Sequence, residues 1–252
     1  MFTKIKSPRE IQFMREGGQI LATVLRLLKR QVAAGMTTKE LANIAASELK
    51  GLGGQAAFLG YQGFPDVLCV SLNNEVVHGI PSAKQIINAG DIVSMDFGVL
   101  HNGMITDAAI TTIAGSAGDP AVKNLVQKTS EALKTAVHAV KDGVRVGDIA
   151  SAAQSVLEPG GFGIVRDLVG HGVGHELHEE PNIPNYGRSG TGPVLQAGMT
   201  IAIEPMATLG SHEVFVAHDG WTVMTNDGSL SAHFEHTVLI TQNGAEILTT
   251  LD

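Results

Sequence analysis

The sequence predicts an α+β fold in which helices pack on one face of a curved, largely antiparallel sheet. Two observations predict it. A pattern of residues recurs at a constant offset, and each half of the chain reads as two helices followed by short strands. With 252 residues and 44% hydrophobic content, the chain can bury a sizeable core. We therefore expect one domain over residues 1–252, built from two pseudo-symmetric halves of about 1–115 and 116–252.

The repeat is clearest where an Ala-Gly pair precedes an apolar run that ends in a carboxylate. Ala89-Gly90 is separated from Asp96 by five residues, and Ala197-Gly198 is separated from Glu204 by five residues. A carboxylate at the end of a buried strand needs a partner charge or a cation to offset its desolvation. The same offset keeps five upstream pairs identical: Gly35/Gly143, Ala42/Ala150, Ala45/Ala153, Ser47/Ser155 and Leu49/Leu157. We expect acidic groups and histidines of both halves to meet where the halves join.

The helices are predicted from capping residues and apolar spacing. Ser7 and Glu10 form a capping box around Pro8 at the first helical position, and an apolar stripe follows until Gly35. Glycine and proline positions delimit the other helices. The four predicted helices cover about 7–35, 37–51, 119–141 and 147–157.

The strands are predicted from short runs rich in β-branched and apolar residues. Glycines cluster around the candidate site, where the backbone must turn tightly or approach a ligand. The eight predicted strands cover 67–72, 75–78, 92–99, 104–113, 164–169, 199–204, 222–224 and 233–241.

A hairpin is predicted to bring two carboxylates together. His101-Asn102-Gly103 is a turn signal between the strands that contain Asp96 and Asp107. A His101-Asn102 loop would put the two acids directly opposite each other, whereas an Asn102-Gly103 loop would make them diagonal neighbours on one face. Like charges at this distance destabilise a hairpin, so we expect a bridging cation in either register.

Further acidic and histidine candidates follow in the second half. Glu235 enters an apolar strand, and His171 lies in a glycine-rich run where the imidazole can project. His171 and His175 have the spacing of two zinc ligands on a helix, but Gly172 and Gly174 disfavour a helix there. Taken alone, each histidine is more often a structural residue than a ligand, so the prediction depends on the whole set.

Charge and cysteine content limit the cellular locations and the partners that we expect for the chain. The net charge is −8, and residues 146–252 contain 2 basic and 13 acidic residues. Several of these carboxylates are expected beside metal ions, which would cancel their charge. Cys69 is the only cysteine, and no run has membrane-spanning length. We expect a cytoplasmic monomer without membrane or DNA partners.

At these residues the chain resembles the type I methionine aminopeptidases over essentially its whole length. The motifs that carry the resemblance are His78-Gly79-Ile80-Pro81, Asp96-Phe97-Gly98 with Asp107, Gly170-His171-Gly172-Val173-Gly174, 178–187, 200–205 and 234–237. The resemblance implies the pita-bread (creatinase/aminopeptidase) fold and a single catalytic peptidase domain. It also implies a hydrolase that removes the N-terminal methionine from nascent proteins and peptides when the second residue is small.

The resemblance implies two divalent cations, whose ligands would be Asp96, Asp107, His171, Glu204 and Glu235. Asp107 and Glu235 would bridge the ions, Asp96 would complete one site, and His171 with Glu204 the other. Four carboxylates and one imidazole suit Mn²⁺ or Fe²⁺ and are compatible with Co²⁺ or Zn²⁺. Ions roughly 3.5 to 4 Å apart would hold a bridging hydroxide that attacks the first peptide bond.

The resemblance also implies roles for residues beyond the ligands. Glu204 would move the water's proton to the departing amine, His178 would stabilise the oxyanion, and His78 would contact the scissile nitrogen. Five further residues would form an apolar pocket for the methionine side chain: Tyr61, Phe64, Cys69, Met206 and Trp221. Four residues depart from the family's usual pattern and leave tolerance of the second substrate residue open: Phe58, Leu177, His175 and His233.

Two other functions are weighed against this one. X-Pro peptidases share the five ligands but usually have a large N-terminal domain. A pita-bread protein that only binds a partner would be expected to lack one or more ligands, and all five are present. Seven basic residues could touch ribosomal RNA transiently, although a solvated helix face is the favoured explanation: Lys4, Lys6, Arg9, Arg15, Arg26, Lys29 and Arg30.

Overall fold

The computed structural model describes residues 2–116 and 118–250, so residues 1, 117, 251 and 252 of the predicted domain lie outside the described residues. The chain folds as α+β, which confirms the predicted class. Four α-helices are present in the described residues: α1 Pro8–Gln31, α2 Thr38–Leu52, α3 Pro120–His138 and α4 Val146–Leu157. None of the helices in these residues is long and apolar enough to cross a membrane.

The helix starts follow the predicted caps, whereas two ends differ. The Ser7 hydroxyl accepts a hydrogen bond from the Glu10 N–H, and the Glu10 carboxylate accepts one from the Ser7 N–H. The expectation that α1 continues to Gly35 is wrong, because the chain leaves helical geometry at Val32. Gly35 forms a turn at a φ of 93° instead. The third helix ends at His138 and not near Lys141.

Fifteen strands follow in the described part of the chain: β1 Gln55–Ala56, β2 Cys69–Leu72, β3 Glu75–Val77, β4 Ile92–His101, β5 Met104–Ile113, β6 Gly163–Ile164, β7 Gly170–Gly172, β8 Glu179–Ile183, β9 Thr200–Ile203, β10 Met206–Thr208, β11 Val214–Val216, β12 Val223–Thr225, β13 Ser231–His233, β14 His236–Thr241 and β15 Gly244–Ile247. The sequence did not predict β1, β7, β8, β10, β11 or β15. The predicted strand 164–169 is wrong for most of its length, because the strand ends at Ile164 and one further hydrogen bond, from the Val165 N–H to the Met206 carbonyl, reaches β10.

The fifteen strands form two larger and two smaller sheets, and all of their pairings within the described residues are antiparallel. In the first half, β1, β4 and β2 are neighbours and β5 pairs with β4. In the second half, the order is β15-β14-β9-β7-β8. The smaller sheets are β13-β10-β6 and β11-β12-β3. The last of these links the two halves, because β3 comes from the first half and β12 from the second.

Each half has its own helix-on-sheet core. Leu21 and Leu41 of the first two helices pack with Phe97 of β4, and all three are fully buried. Ile149 of α4 packs with Ile203 of β9 in the second half. These apolar layers fix the position of the sheet faces that bear the candidate site.

Hydrogen bonds repeat at the offset of the sequence repeat. The Gly35 N–H donates to the Ile87 carbonyl over 2.8 Å, and the Gly143 N–H donates to the Leu195 carbonyl over 2.9 Å. The helix starts repeat as well, since the Thr37 N–H donates to Glu40 and the Arg145 N–H donates to Asp148. The expected relation between the two halves is therefore visible in the backbone.

The β4–β5 hairpin resolves the register that the sequence left open. His101 pairs with Met104 across an Asn102-Gly103 turn in which both residues have positive φ. Asp107 lies opposite Gly98 and Asp96 lies opposite Ala109. The two acids are therefore diagonal neighbours, and the directly opposed register is wrong.

Candidate metal centre and substrate pocket

All five predicted ligand residues line one cavity. Asp96 and Asp107 come from the β4–β5 hairpin and His171 from β7. Glu204 directly follows β9, and Glu235 lies between β13 and β14. The cavity therefore receives its acidic groups from both halves, as the repeat predicts.

The ligand atoms of three of these residues are close together. One atom each of Asp107, His171 and Glu235 lies within 4.8 Å of the others, and all three side chains are buried. Nε2 of His171 is 3.6 Å from Oε1 of Glu204. Asp96 is 8% exposed. The distances between the ligand atoms of Asp107, His171, Glu204 and Glu235 leave room for an ion among them.

Glycines allow the strands around these ligands to approach closely. A Cβ atom on Gly98, opposite Asp107, would lie 2.6 Å from the ring of Phe58. A Cβ atom on Gly170 would collide with the Ala202 carbonyl of β9. Thr237 holds the hairpin against β14, because it accepts from the Asp107 N–H and donates to the Asp107 carbonyl, each over 2.8 Å.

The carboxylates are poorly satisfied by protein groups alone. Oδ1 of Asp96, Oδ1 of Asp107 and Oε1 of Glu235 are buried and have no hydrogen-bond partner among the described residues. Desolvation raises the pKa of Asp96 to about 7 and that of Glu204 to about 8. Desolvation and then the neighbouring carboxylates raise the pKa of Asp107 and Glu235 well above their usual values. Divalent cations would satisfy the oxygens and favour the ionised acids, so these residues fit such ions.

His171 has the protonation state that a metal ligand needs. Its Nδ1–H donates to the carbonyl of Gly172 over 2.8 Å, since a carbonyl can only accept. Burial lowers the pKa of the imidazole to about 3. The neutral ring therefore keeps a bare lone pair on Nε2, which lies 3.6 Å from Oε1 of Glu204.

An apolar pocket adjoins the acidic cluster in the same cavity. Four of the residues predicted for a side-chain pocket line it: Tyr61, Phe64, Cys69 and Trp221. The rings of Phe64 and Trp221 meet edge to face, with centroids 5.2 Å apart. Met206 does not line the cavity; it is fully buried in a core cluster with Val76 and Val223.

Sequence reasoning did not place several lining residues in the pocket. They are Phe58, Gln62, Val77, Leu168, Val169 and Leu177. Phe58 and Leu177 were recognised only as departures from the family pattern, and both pack with Phe64 and Cys69. The side chains of Phe58 and Leu177 add apolar surface to the pocket beside the acidic cluster.

The two predicted non-ligand histidines also line the cavity. His78 adopts a left-handed backbone with a φ of 60°, and burial lowers the pKa of its imidazole to about 4. The ring of His178 lies with its centroid 4.3 Å from that of His171. The Tyr61 hydroxyl is 2.8 Å from Nδ1 of His178. Neither histidine belongs to the group of three close ligand residues.

His233 is the functional candidate that sequence reasoning missed as a site residue. It is 1% exposed, and Nε2 lies 3.6 Å from Oε2 of Glu204. Neither ring nitrogen has a hydrogen-bond partner among the described residues. Its position two residues before Glu235 was a signal, because the strand predicted over 233–241 would place alternate residues on the same face.

His175, the other unusual histidine, does not line the cavity. Its Nε2 lies 2.8 Å from Oε1 of Glu10 at the start of α1. Beside it, Lys6 and Glu179 form an ion pair over 3.1 Å with both side chains almost fully buried. Glu179 also accepts from the backbone N–H groups of His175 and Glu176. This network fixes the segment that leads from His171 to His178.

Comparisons with known proteins place this site in a family context. Residues 12–242 match the model of metallopeptidase family M24. A methionine aminopeptidase of Clostridium acetobutylicum is 44% identical over 97% of this chain and 98% of its own length. Methionine aminopeptidase 1 of Bacillus subtilis is 45% identical, with the same shares covered.

Solved structures agree with the sequence comparisons. The crystal structure of methionine aminopeptidase from Thermotoga maritima has a TM-score of 0.97 and 47% identity, and the match covers 99% of this chain and 100% of that chain. Prolidase from Pyrococcus furiosus has a TM-score of 0.78 and 26% identity, and the match covers 98% of this chain but 66% of that chain. These likenesses confirm the predicted pita-bread fold.

Proposed function

This chain belongs to metallopeptidase family M24, and we propose that it is a type I methionine aminopeptidase. It removes the N-terminal methionine from peptides and nascent proteins by metal-dependent hydrolysis. One observation supports this most directly: a cluster of four carboxylates and an imidazole shares a single cavity with an apolar, aromatic pocket. The cluster can hold the metal, and the pocket can hold the side chain of the residue to be removed.

Two divalent cations would be held by the five ligands, with Asp107 and Glu235 between the two sites. The donor set suits Mn²⁺, Fe²⁺, Co²⁺ or Zn²⁺. When bound, such ions supply Lewis-acid polarisation of the peptide carbonyl and an activated water at neutral pH. The free α-amino group of the substrate would bind near one ion, which restricts cleavage to the chain end.

Three residues have proposed roles around the scissile bond. Glu204 accepts the proton of the attacking water and passes it to the departing amine. His178 donates a hydrogen bond to the developing oxyanion, and His78 contacts the scissile nitrogen. The low pKa that burial gives His78 supports a neutral imidazole in this role.

The apolar pocket would select the first residue. Phe64 and Trp221 form one aromatic wall, and Tyr61 stands near His178 at another part of the lining. Flexible thioether chains suit such an aromatic surface. A small second residue is expected because the closely packed histidine loop should limit the room for it.

Location and partners are also proposed. We expect a cytoplasmic monomer acting on nascent chains, with transient ribosome contact through the basic residues of the N-terminal region. Lys6 is unavailable for such contact, because it is buried against Glu179. Arg15 is paired with Glu246. Exposed residues such as Lys29 and Arg30 remain at the end of α1.

An X-Pro peptidase is the alternative within the fold. Such an enzyme must recognise a proline ring in the second position, whereas the apolar pocket here adjoins the metal ligands and suits the first side chain. The prolidase match also leaves about a third of that chain uncovered. The presence of all five ligands in one cavity argues against a protein that only binds a partner.

The proposed function is tested by removing and restoring metal. Chelated protein should not hydrolyse Met-Ala-Ser, and added Mn²⁺, Co²⁺ or Fe²⁺ should restore hydrolysis with two ions bound per chain. His171→Ala and Glu204→Gln should be inactive at saturating metal. His138→Ala and Glu246→Gln, which alter residues outside the cavity, should remain active. Full activity in the chelated protein would overturn the proposal.

A further inference from the structure

Two neighbouring histidines of the cavity have different partners at the same ring atom. Nδ1 of His171 faces the carbonyl of Gly172, and Nδ1 of His178 faces the hydroxyl of Tyr61, each over 2.8 Å. The ring centroids of the two histidines are only 4.3 Å apart. A neutral imidazole has one N–H group and one bare nitrogen, so these partners decide where each proton sits.

The carbonyl fixes His171 in one tautomer. Because the Gly172 oxygen only accepts, Nδ1 of His171 must be protonated and Nε2 must be bare. The hydroxyl of Tyr61 can donate or accept, so its effect depends on which hydrogen bond is stronger. A phenol is a stronger acid than a neutral imidazole N–H, and an imidazole nitrogen is a better acceptor than a phenol oxygen. The favoured arrangement has Tyr61 donating to Nδ1 of His178.

We propose that Tyr61 is a positioning residue that fixes His178 in the tautomer with its proton on Nε2. The inference rests on the proposed function, in which His178 donates a hydrogen bond to the oxyanion. His171 then offers a lone pair to a metal ion, while His178 offers a proton to the substrate. The same assignment explains why two adjacent imidazoles in an acidic cavity do not both act as ligands, since a protonated Nε2 cannot coordinate a metal.

The test compares the two tyrosines of the chain. Tyr61→Phe keeps the ring and removes only the hydroxyl. Tyr186→Phe makes the same change at a tyrosine outside the cavity, where the ring lies under the Arg166 guanidinium. The tautomers are read by ¹⁵N long-range NMR of the imidazoles in the Zn²⁺-loaded protein, because Zn²⁺ is diamagnetic. No substrate is present in this measurement.

In the native protein and in Tyr186→Phe, His178 should be protonated at Nε2 and His171 at Nδ1. Tyr61→Phe should shift His178 toward a mixture of tautomers and leave His171 unchanged. For hydrolysis of Met-Ala-Ser, Tyr61→Phe should lower kcat roughly 2- to 10-fold, the range expected for one neutral hydrogen bond, with KM changed less than about twofold. Tyr186→Phe should keep the native kcat.

A native His178 protonated at Nδ1 would overturn the inference, and so would a His178 tautomer that is the same in Tyr61→Phe as in the native protein. A fall in kcat without a tautomer change would also overturn it, because that result assigns Tyr61 to packing alone. Failure of the proposed function would look different: the native protein would not release methionine, while the NMR result would still stand by itself.

Discussion

The buried carboxylates should make the metal-free protein less stable as the pH rises above neutrality. Desolvation raises the pKa of Glu204 to about 8 and raises the pKa of Asp107 and Glu235 well above their usual values. In the unfolded chain these groups lose their protons near their ordinary pKa values of about 4. Between about pH 7.5 and 8.5, the folded metal-free protein therefore binds more protons than the unfolded chain, and its stability falls as the pH rises.

The size of the effect follows from the number of protons that only the folded protein holds. Each such proton lowers the free energy of unfolding by about 1.4 kcal/mol per pH unit. One to three carboxyl protons give a loss of roughly 1.4 to 4 kcal/mol over this window. Metal binding requires ionised ligands, so saturating Mn²⁺ should remove the dependence. It should also add about 2.7 kcal/mol of stability at a hundred times the dissociation constant.

The buried histidines act in the opposite direction and at lower pH. Burial lowers the pKa of His171 to about 3 and that of His78, His233 and His236 to about 4. These rings stay neutral in the folded protein but gain protons in the unfolded chain below about pH 6.5. The histidines therefore lower the free energy of unfolding only on acidification. They do not alter the pH dependence that the carboxylates cause above pH 7.5.

The assay is urea unfolding followed by circular dichroism at about pH 7.5 and 8.5, with chelator or with Mn²⁺. Glu235→Gln should reduce the pH dependence of the metal-free protein by about 1.4 kcal/mol per pH unit. Glu246→Gln removes a half-exposed carboxylate paired with Arg15 and should keep the native dependence. A metal-free stability that stays constant or rises with pH would refute the reasoning, as would equal pH dependence in the two variants.

Three other predictions follow from the site and its support. His178→Ala and His78→Ala should lower turnover of Met-Ala-Ser by roughly 10² to 10⁴ with normal metal content, and loss of an ion from His178→Ala would contradict its assignment as a non-ligand. Lys6→Met should cost about 3 to 5 kcal/mol of unfolding free energy because the buried Glu179 loses its cation, whereas Lys128→Met at an exposed pair should cost at most about 1 kcal/mol. In a peptide panel read by mass spectrometry, Met-Ala-Ser should be cut much faster than a Met-Phe peptide. Leucine in place of the first methionine should cost about 1 to 3 kcal/mol of transition-state binding. Equal rates for the methionine and leucine peptides would contradict the pocket assignment.

The sequence predicted the convergence of the ligands because their positions follow local rules. Asp96 and Glu204 occupy the same place in the two copies of the repeat, and the Asn102-Gly103 turn determines where Asp107 faces. Both β4 and β9 begin four residues before these acids. Hydrogen bonds at Gly35 and Gly143 repeat in the same way. Short-range patterns were therefore sufficient for this part of the site.

Features that depend on contact between distant segments were not predictable. The strand expected over 233–241 breaks at Glu235, because the Glu235 N–H donates to the Ala109 carbonyl of β5 over 2.9 Å instead of continuing the strand's own pairing. Glycine is disfavoured in strands, so β7 around His171 gave no strand signal, although close approach of β9 requires glycine there. Met206 looked like a pocket residue, but it packs into the core beside Val223.

The most direct test of the central claim is a competition between two tripeptides in one reaction. Equal amounts of Met-Ala-Ser and Ala-Pro-Ser are incubated with the Mn²⁺-loaded protein, and the products are measured by mass spectrometry over time. The account predicts free methionine and Ala-Ser, with Ala-Pro-Ser left intact. Preferential release of alanine from Ala-Pro-Ser, with Met-Ala-Ser uncut, would contradict it.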